Sequence, residues 1–556
     1  MPIQIIKKVS GFFKSPKASS DDTAKEIPVH KKERAPQPES KPQSQSQLPI
    51  PTFNSDVRVI ESDEHNIPRK YLDDNAAKVV YRLLDGGHQA YLVGGCIRDL
   101  LLKKRPKDFD VATSAHPEEA HGLFKRSRLI GRRFKLLHVR FGRDIIEVAT
   151  FRAAHDSTDD ANDQIAKQSD SGLILRDNVY GTVDEDAVRR DFTINALYYS
   201  MADHRIYDFA NGYDDLQKRT IRMIGDPASR YREDPVRMLR AIRFSAKLNF
   251  DIEPATEQPI RELAPLLNDI ASARLFDEVL KLLQSGHGAR SFELLESYNL
   301  LAPLLPLTAN ALKDPETGAA ARELIMMALK NTDRRLSQRK SVTPAFLFAV
   351  LLWHPVQKRM QDKLNERRMS PFSALQEAAD EVIQQQVRST AIPKRFSIPM
   401  REIWEIQLKL PSRHGNRAYQ TLEQSRFRAA YDLLLLREQS GEALDGLSQW
   451  WTQFQSADEA TQAAMISEIK APERNNKRKP SPKPKRDHNA EGSAKRDAAP
   501  RKSSSKPSQK PAAQSSAPQG EVTPSHTTQD DQPQARRRRS RAKNDPRNRR
   551  NTEISG

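Results

Sequence analysis

Between Tyr91 and Thr113 the chain reads YLVGGCIRDLLLKKRPKDFDVAT, so a double glycine sits between an apolar triplet and a helical pattern, and two carboxylates follow two residues apart. Tyr91 to Val93 read as a short buried strand, Gly94 and Gly95 as a tight turn, and Ile97 to Leu102 as the opening turns of a helix. Glycines at such a junction let backbone N–H groups approach an anion, and the helix N-terminus adds partial positive charge. Arg98 stands where a guanidinium would clamp triphosphate oxygens. After the basic connection Lys103 to Lys107, Asp108 to Ala112 alternate like a half-buried strand, which puts Asp108 and Asp110 on one face and Phe109 on the other. Two carboxylates brought to one point repel, and a pair of divalent cations removes the conflict. Magnesium fits best, because it prefers hard oxygen ligands and bridges one or two carboxylates to substrate phosphates. The expectation is a two-metal site in which one ion activates an attacking hydroxyl and the other neutralises a leaving pyrophosphate, that is, nucleotidyl transfer.

A Gly-Gly turn alone is common, and an Asp-x-Asp alone is as often a solvated strand end. Their order and spacing, GG-x-x-RD, a basic loop and D-x-D, carry the signal jointly. With these residues the sequence resembles the class II branch of the polymerase-beta-like nucleotidyltransferases, the group holding bacterial poly(A) polymerases and CCA-adding enzymes. Downstream, HVRF (138–141) and IIEVATF (145–151) read as two strands around Gly142-Arg143-Asp144, a hairpin that extends the sheet. Glu147 lies in its second strand. The run Arg189 to Leu197 looks like the family's RRDFT motif, which implies that Asp191 completes the acidic group and that Arg190 contacts the nucleotide. A structural reading of Asp191 as a cap or as a partner of the arginines stays open, and Glu147 is the rival third carboxylate.

A third block, Glu233 to Phe244 (EDPVRMLRAIRF), predicts a helix with Pro235 in its first turn and Asp234 as cap. Arg237, Arg240 and Arg243 form a stripe opposed to Val236, Leu239 and Ile242. By pattern alone that is a solvated basic face. The resemblance implies instead that Asp234, Arg237 and Arg240 belong to a nucleotide-binding helix that reads the base of the incoming nucleotide, with ATP as substrate.

The chain has 556 residues and a formal net charge of +18. From Ala471 onward there are 22 basic and 9 acidic residues among Ser, Pro, Gln and Ala, so thirteen of those eighteen charges lie in a tail that cannot bury a core. Its densest cluster, Arg536 to Lys543, suits salt-sensitive attraction to phosphates or to another acidic surface. One cysteine, Cys96, excludes an intramolecular disulfide and fits a reducing cytoplasm; it reads as a small buried filler. No segment reads as a signal peptide or a membrane span. Near the start, Ile5, Ile6, Val9, Phe12 and Phe13 share a helical face beside Lys7, Lys8 and Lys14, compatible with peripheral membrane contact or with a frayed helix that binds nothing.

The expected fold is α+β. A nucleotidyltransferase head with a small mixed or antiparallel sheet over 67–207 precedes a helical neck over 208–270 and an all-α, RNA-binding body over 271–470. Extensions over 1–66 and 471–556 are expected to be disordered. Ala154 to Ser171 reads as a solvated loop. In the body, Arg274–Leu283, Ser291–Leu301, Ala319–Leu329, Pro344–Trp353, Leu375–Gln386 and Phe427–Arg437 carry helical periodicity. Lys394, Arg395, Arg413, Arg417, Arg426 and Arg428 would line a basic groove there, against a default of scattered surface charge. LIGRRFKLLHVRFG (129–142), LLQSGHGA (282–289) and LRDNVYGTVDEDAVRRDFTINALYYS (175–200) resemble the poly(A) polymerase branch more than the CCA-adding one. That branch implies untemplated addition of AMP from ATP to RNA 3′ ends of messenger, structured and regulatory RNAs and promotion of RNA decay; contact with RNA-decay proteins and a monomeric state are separate expectations that no residue carries. The alternatives are a CCA-adding enzyme sharing the same site residues, and an inactive RNA-binding adaptor.

Overall fold

The computed structural model describes residue 53 and residues 56–131, 135–153, 166–168, 174–177 and 179–469. In chain order its first half comprises β1 (Arg58–Ile60), α1 (Ser62–His65), α2 (Asp74–Asp85), β2 (Ala90–Val93), α3 (Gly95–Leu101), β3 (Asp110–Thr113), α4 (Pro117–Leu123), β4 (Ser127–Ile130), β5 (Leu136–Phe141) and β6 (Asp144–Thr150). There follow β7 (Ala166–Gln168), β8 (Ile174–Asp177), α5 (Val183–Arg189), β9 (Leu197–Tyr199), β10 (Ile206–Asp208), α6 (Gly212–Gln217), α7 (Pro227–Glu233) and α8 (Val236–Leu248). Eight strands form one sheet in the order β1-β10-β9-β2-β3-β6-β5-β4. Only β3 and β6 run parallel; the other neighbours are antiparallel.

Strand alternation gives the sheet two faces with separate cores. Val111, Leu137, Val139, Ile146 and Val148 meet α2, whose Ala76, Val79, Val80 and Leu83 recur at helical spacing and are fully buried. Burying Val79, Val80 and Leu83 contributes on the order of 1.5–3 kcal/mol each. Asp73 caps α2 by accepting the amides of Asn75 and Ala76 at 2.9 Å. On the other face, Tyr91, Val93, Ala112, Phe151, Tyr198 and Tyr207 pack with Val183 and Ala187 of α5. β2 is buried along its whole length because both layers cover it.

A third core starts at Phe192 and Ile194, takes in the apolar side of α8, and runs without a break to Phe454. It is all helical beyond residue 253, with the long helices Ser272–Leu283, Gly318–Ser337, Pro371–Ser389, Lys394–Lys409 and Phe427–Gln439 among its elements. Two buried indoles are satisfied within this core: Trp404 donates to the Ala349 carbonyl and Trp451 to that of Leu410, each at 3.0 Å. The six helices expected from periodicity are present, most of them longer than expected. Lys394–Lys409, which contains Pro399, was not expected. Nor was the β7–β8 hairpin, whose first strand falls inside the segment read as a loop.

The N-terminal apolar face, most of the 1–66 extension, most of the Ala154–Ser171 segment and the tail beyond residue 469 lie outside the described residues; the end of that extension, expected to be disordered, is instead β1 and α1, because β1 completes the sheet by pairing with β10. Among the described residues no helix is long and apolar enough to cross a membrane.

Gly212 opens α6 directly against the RRDFT segment. A Cβ there would lie 2.1 Å from the Thr193 carbonyl oxygen, a backbone atom that cannot swing aside. Gly122, in exposed α4, has open space around it. Gly122→Ala is therefore expected to raise stability by about 0.5–1 kcal/mol through helix propensity, whereas Gly212→Ala is expected to lower the melting temperature by several degrees. Equal melting curves for the two variants would contradict the close approach.

Candidate active site

Gly94 joins β2 to α3 with φ 73° and ψ −128°, a conformation that side chains rarely adopt. Two arginines border the turn: a Cβ at Gly94 would lie 3.4 Å from Arg190 Nη1, and one at Gly95 3.4 Å from Arg98 Nη2. They are held differently. Arg98 is 3% exposed, donates to Asp99 Oδ1 from Nε (2.9 Å) and Nη2 (2.7 Å) and to Asn195 Oδ1 from Nη1 (2.6 Å), and lies over the Phe244 ring. The expected clamp on a triphosphate does not match this placement, because three of its donors are already spent inside the protein. Arg190 donates to the Tyr198 hydroxyl at 2.7 Å and to Asp186 Oδ2 at 2.9 Å, which leaves it beside the turn and within the field of Asp110. Burial alone would lower its pKa, but Tyr198 and Asp186 outweigh that and hold it above the ordinary value. Cys96 is buried, donates to the Val93 carbonyl, and burial together with Asp110 pushes its thiol up to about 12, which removes it from nucleophilic chemistry.

Asp110 is the first residue of β3 and pairs in register with Glu147 of the parallel strand β6, so both project from one face. Asp108 precedes the strand instead of lying in it; its carboxylate is exposed and ion-paired to Lys107 at 3.1 Å. Asp110 is accessible to solvent yet closely enough surrounded that partial burial, then Glu147 and Asp108, push its pKa up to about 6 against the pull of Arg190. His138, opposite Glu147 across the β5–β6 pair, places Nε2 3.3 Å from Glu147 Oε1, outside hydrogen-bond alignment. Among the described residues no three His, Cys, Asp or Glu side chains form a complete cage for a metal. A hard cation that completes its shell from phosphates and water needs only part of one, and a carboxylate crowded by others, as Asp110 is, is a donor such a cation relieves.

Asp191, expected to complete the acidic group, is placed elsewhere. Its Oδ2 accepts from Arg240 Nε at 2.6 Å and Nη2 at 2.5 Å, and its Oδ1 from Asn195 Nδ2 at 2.9 Å and the Phe192 amide at 2.8 Å. Burial opposes ionisation, but Arg240, Asn195 and that amide prevail and bring its pKa down to about 2. These bonds belong to a closed circuit. From Lys247 on α8 it passes through Asp99 (3.2 Å), Arg98, Asn195 and Asp191 and returns to α8 at Arg240. Sequence reading passed over Asp99, Asn195 and Lys247. The i, i+4 spacing of Asp186 and Arg190 along the end of α5 was an available signal; the Asp191–Asn195 contact, outside any α-helix, had none.

Arg237 and Asp234 are also engaged. Arg237 Nη1 donates to Glu233 (2.7 Å) and to the Arg230 carbonyl (2.8 Å), and Asp234 Oδ2 accepts from Arg274 at 2.7 Å. The stripe on α8 is thus no solvated face. Arg230 donates to the carbonyls of Arg189 and Arg190 at 2.6 and 2.7 Å, so a knot of arginines adjoins the glycine turn. Burial first, then neighbouring arginines, lower Arg189 and Arg230 to about 10. Such mutual repulsion suits a site that receives a polyanion. Of the cations expected to line the body groove, Arg426 and Arg428 pair locally with Glu402 and Asp432, and Arg413 lies over Trp450.

Three family models match the chain: the Poly A polymerase head domain over residues 90–222, the Probable RNA and SrmB- binding site of polymerase A over 249–312, and the Polymerase A arginine-rich C-terminus over 367–486. Poly(A) polymerase I of Salmonella typhimurium is 48% identical over 416 residues, 74% of this chain and 89% of that protein. The protein of the same name from Haemophilus influenzae is 46% identical over 77% of this chain and 94% of its own length. A CCA-adding enzyme of Lactobacillus helveticus is 38% identical over only 39% of this chain and 52% of that enzyme.

Two measurements check the electrostatics. In metal-free protein, carboxyl-detected NMR should show Asp110 titrating near pH 6, and Glu147→Gln, which removes a like charge, should move that titration to lower pH; a wild-type titration at the ordinary value of 3.8 would contradict the arrangement. Asp191→Asn should cost about 2–3 kcal/mol by stranding Arg240, less than a fully buried pair because Arg240 is 34% exposed. Since the Asp191 pKa is depressed, that contribution is present above the unfolded value of 3.8 and fades as pH falls through about 2. A stability difference that persisted unchanged to the acid limit would point to another cause.

Proposed function

The chain belongs to the poly(A) polymerase family of class II nucleotidyltransferases, and from that premise we propose how its residues carry out the reaction. The protein is a polynucleotide adenylyltransferase: it adds AMP from ATP to RNA 3′ ends without a template. The observation that carries the residue assignment is the meeting, at the ends of β2 and β3, of the glycine turn, the Asp110–Glu147 pair and the arginine knot.

In this reading the backbone amides after Gly94 and Gly95, with Arg190, bind the triphosphate, while Arg189 and Arg230 supply the surrounding positive field. Asp108 and Asp110 would hold magnesium, with phosphates and water completing its shell, and Glu147 beside Asp110 would add negative charge to the site. Bound there, magnesium would lower the pKa of the RNA 3′-hydroxyl and neutralise departing charge. Asp234 and Arg237, fixed by Arg274 and Glu233, read the adenine edge. Arg98, Asp191 and Arg240 position the turn and α8 relative to each other without touching substrate. The RNA 3′ oxygen forms a bond to the α-phosphorus, the bond to the α,β-bridging oxygen breaks, and pyrophosphate leaves. Most of the acceleration comes from orientation and charge neutralisation. The expected segments 67–207, 208–270 and 271–470 serve as head, neck and RNA-binding body, with the head extended to take in β1 and the whole of β10, and the enzyme works in the cytoplasm.

The CCA-adding reading meets a relative matching only two fifths of the chain, and the adaptor reading meets an intact carboxylate pair. A labelled RNA that does not end in CC, given magnesium and each nucleoside triphosphate separately, should lengthen as a ladder with ATP alone. Asp110→Asn should reduce that rate by roughly a thousandfold or more with RNA affinity retained. A ladder from that variant at the wild-type rate would remove Asp110 from the site.

A further inference from the structure

A recess of about 770 Å³ opens between α2, the turn from α4 to β4, and the tip of the β5–β6 hairpin. Val139 and Phe141 line it and belong to the core under α2, whereas Glu147 and Asp110 alternate to the other side of the sheet. The recess therefore lies on the face opposite the carboxylates. Its size falls in the range of about 300–1,000 Å³ usual for ligand sites.

The lining carries Lys78 and Arg82 from α2 and Lys125 and Arg126 from the turn, against one carboxylate, Asp85; Arg140 of β5 borders the recess but its side chain alternates to the face of Glu147. All four cations are exposed, and among the described residues none of them makes an ion pair. Elsewhere on the same sheet Arg58, Lys135 and Arg205 each have a carboxylate partner. Lys78 and Arg82, one helical turn apart, stand about 5–6 Å from each other at Cβ. Between the cations lie aromatic rings. Tyr81 and Phe141 are half-buried, and the Arg82 guanidinium sits 5.9 Å from the centroid of the buried Phe124 ring. The Tyr81 hydroxyl is tied to the Met201 carbonyl and to Arg69, which fixes its ring.

Unpaired cations that track one groove, interleaved with ring faces, match the chemistry of single-stranded nucleic acid: phosphates meet the charges and bases meet the rings. An acidic protein segment would satisfy the charges and leave the rings unused. We propose that this recess is a second RNA-binding groove that holds single-stranded RNA upstream of the 3′ end being extended at the opposite face. The inference takes RNA as substrate from the reading above. It adds a site that sets how strongly long RNAs are retained.

The test uses the full chain carrying Lys78→Ala, Arg82→Ala and Lys125→Ala together, all exposed side chains, with a thermal melt as the folding control. Binding is measured without ATP, on a short oligo(A) and on one well beyond the roughly 4–16 nucleotides that one groove holds. The triple variant should bind the long RNA roughly tenfold more weakly, with a salt slope shallower by about 2. Its affinity for the short RNA, and its turnover on that primer at saturating ATP, should stay at wild-type level. A uridine analogue that crosslinks on irradiation, placed upstream in the long RNA, should label the peptide spanning Phe124 to Arg126. Unchanged affinity and slope on the long RNA would overturn the proposal, as would equal losses on both lengths. So would intact RNA binding with loss of polyglutamate binding, which would assign the recess to an acidic protein. Absence of turnover in the wild type would instead count against the catalytic reading and leave the binding comparison standing.

Discussion

The circuit Lys247–Asp99–Arg98–Asn195–Asp191–Arg240 is the constraint on which the rest depends, because it begins and ends on α8 and encloses the base of the glycine turn. Buried charges are tolerated only when each finds a partner, and removing one strands the next. The cost of those charges is offset here by geometry: α3, the RRDFT segment and α8 have one mutual arrangement in which all six groups are satisfied. Hydrophobic packing alone, spread over separate cores on either side of this junction, would not single out that arrangement with the same sharpness.

Around that base, like charges cluster and are only partly balanced: Asp186 pairs with Arg190, and Glu233 with Arg230 and Arg237. Glu147 and Asp108 crowd Asp110 and raise its pKa, while burial and neighbouring arginines lower those of Arg189 and Arg230. In the reading proposed above, a nucleoside triphosphate with its cations would bring opposite charge to both clusters in one event, so binding would relieve the crowding within each.

Much of this was legible in the sequence. Gly94, Gly95 and the alternation around Asp110 predict strand, turn and helix because each rule acts within a few residues. The β5–β6 hairpin and the amphipathic side of α8 follow for the same reason. What could not be read were partners distant in sequence. Arg98 looks like a free clamp until Asn195, nearly a hundred residues on, accepts its hydrogen bond. Asp191 fits an acidic group by motif, but only the fold shows that Arg240 occupies it. Asp108 was assigned to a strand that begins two residues later, since the alternation does not reveal that Lys107 draws its carboxylate outward. In the helical half, Pro399 disguised a sixteen-residue helix that tertiary packing holds together despite the lost amide.

Cys96 deserves a last word for what it lets an observer count. It is the chain's one sulfhydryl, sealed under the glycine turn and far from the thiolate form. A thiol reagent can reach it only when β2 and α3 part, so the rate of modification is a clock for opening of the glycine turn. Ligands that close the turn will slow that clock, and the protein thereby carries its own reporter of occupancy without any added label.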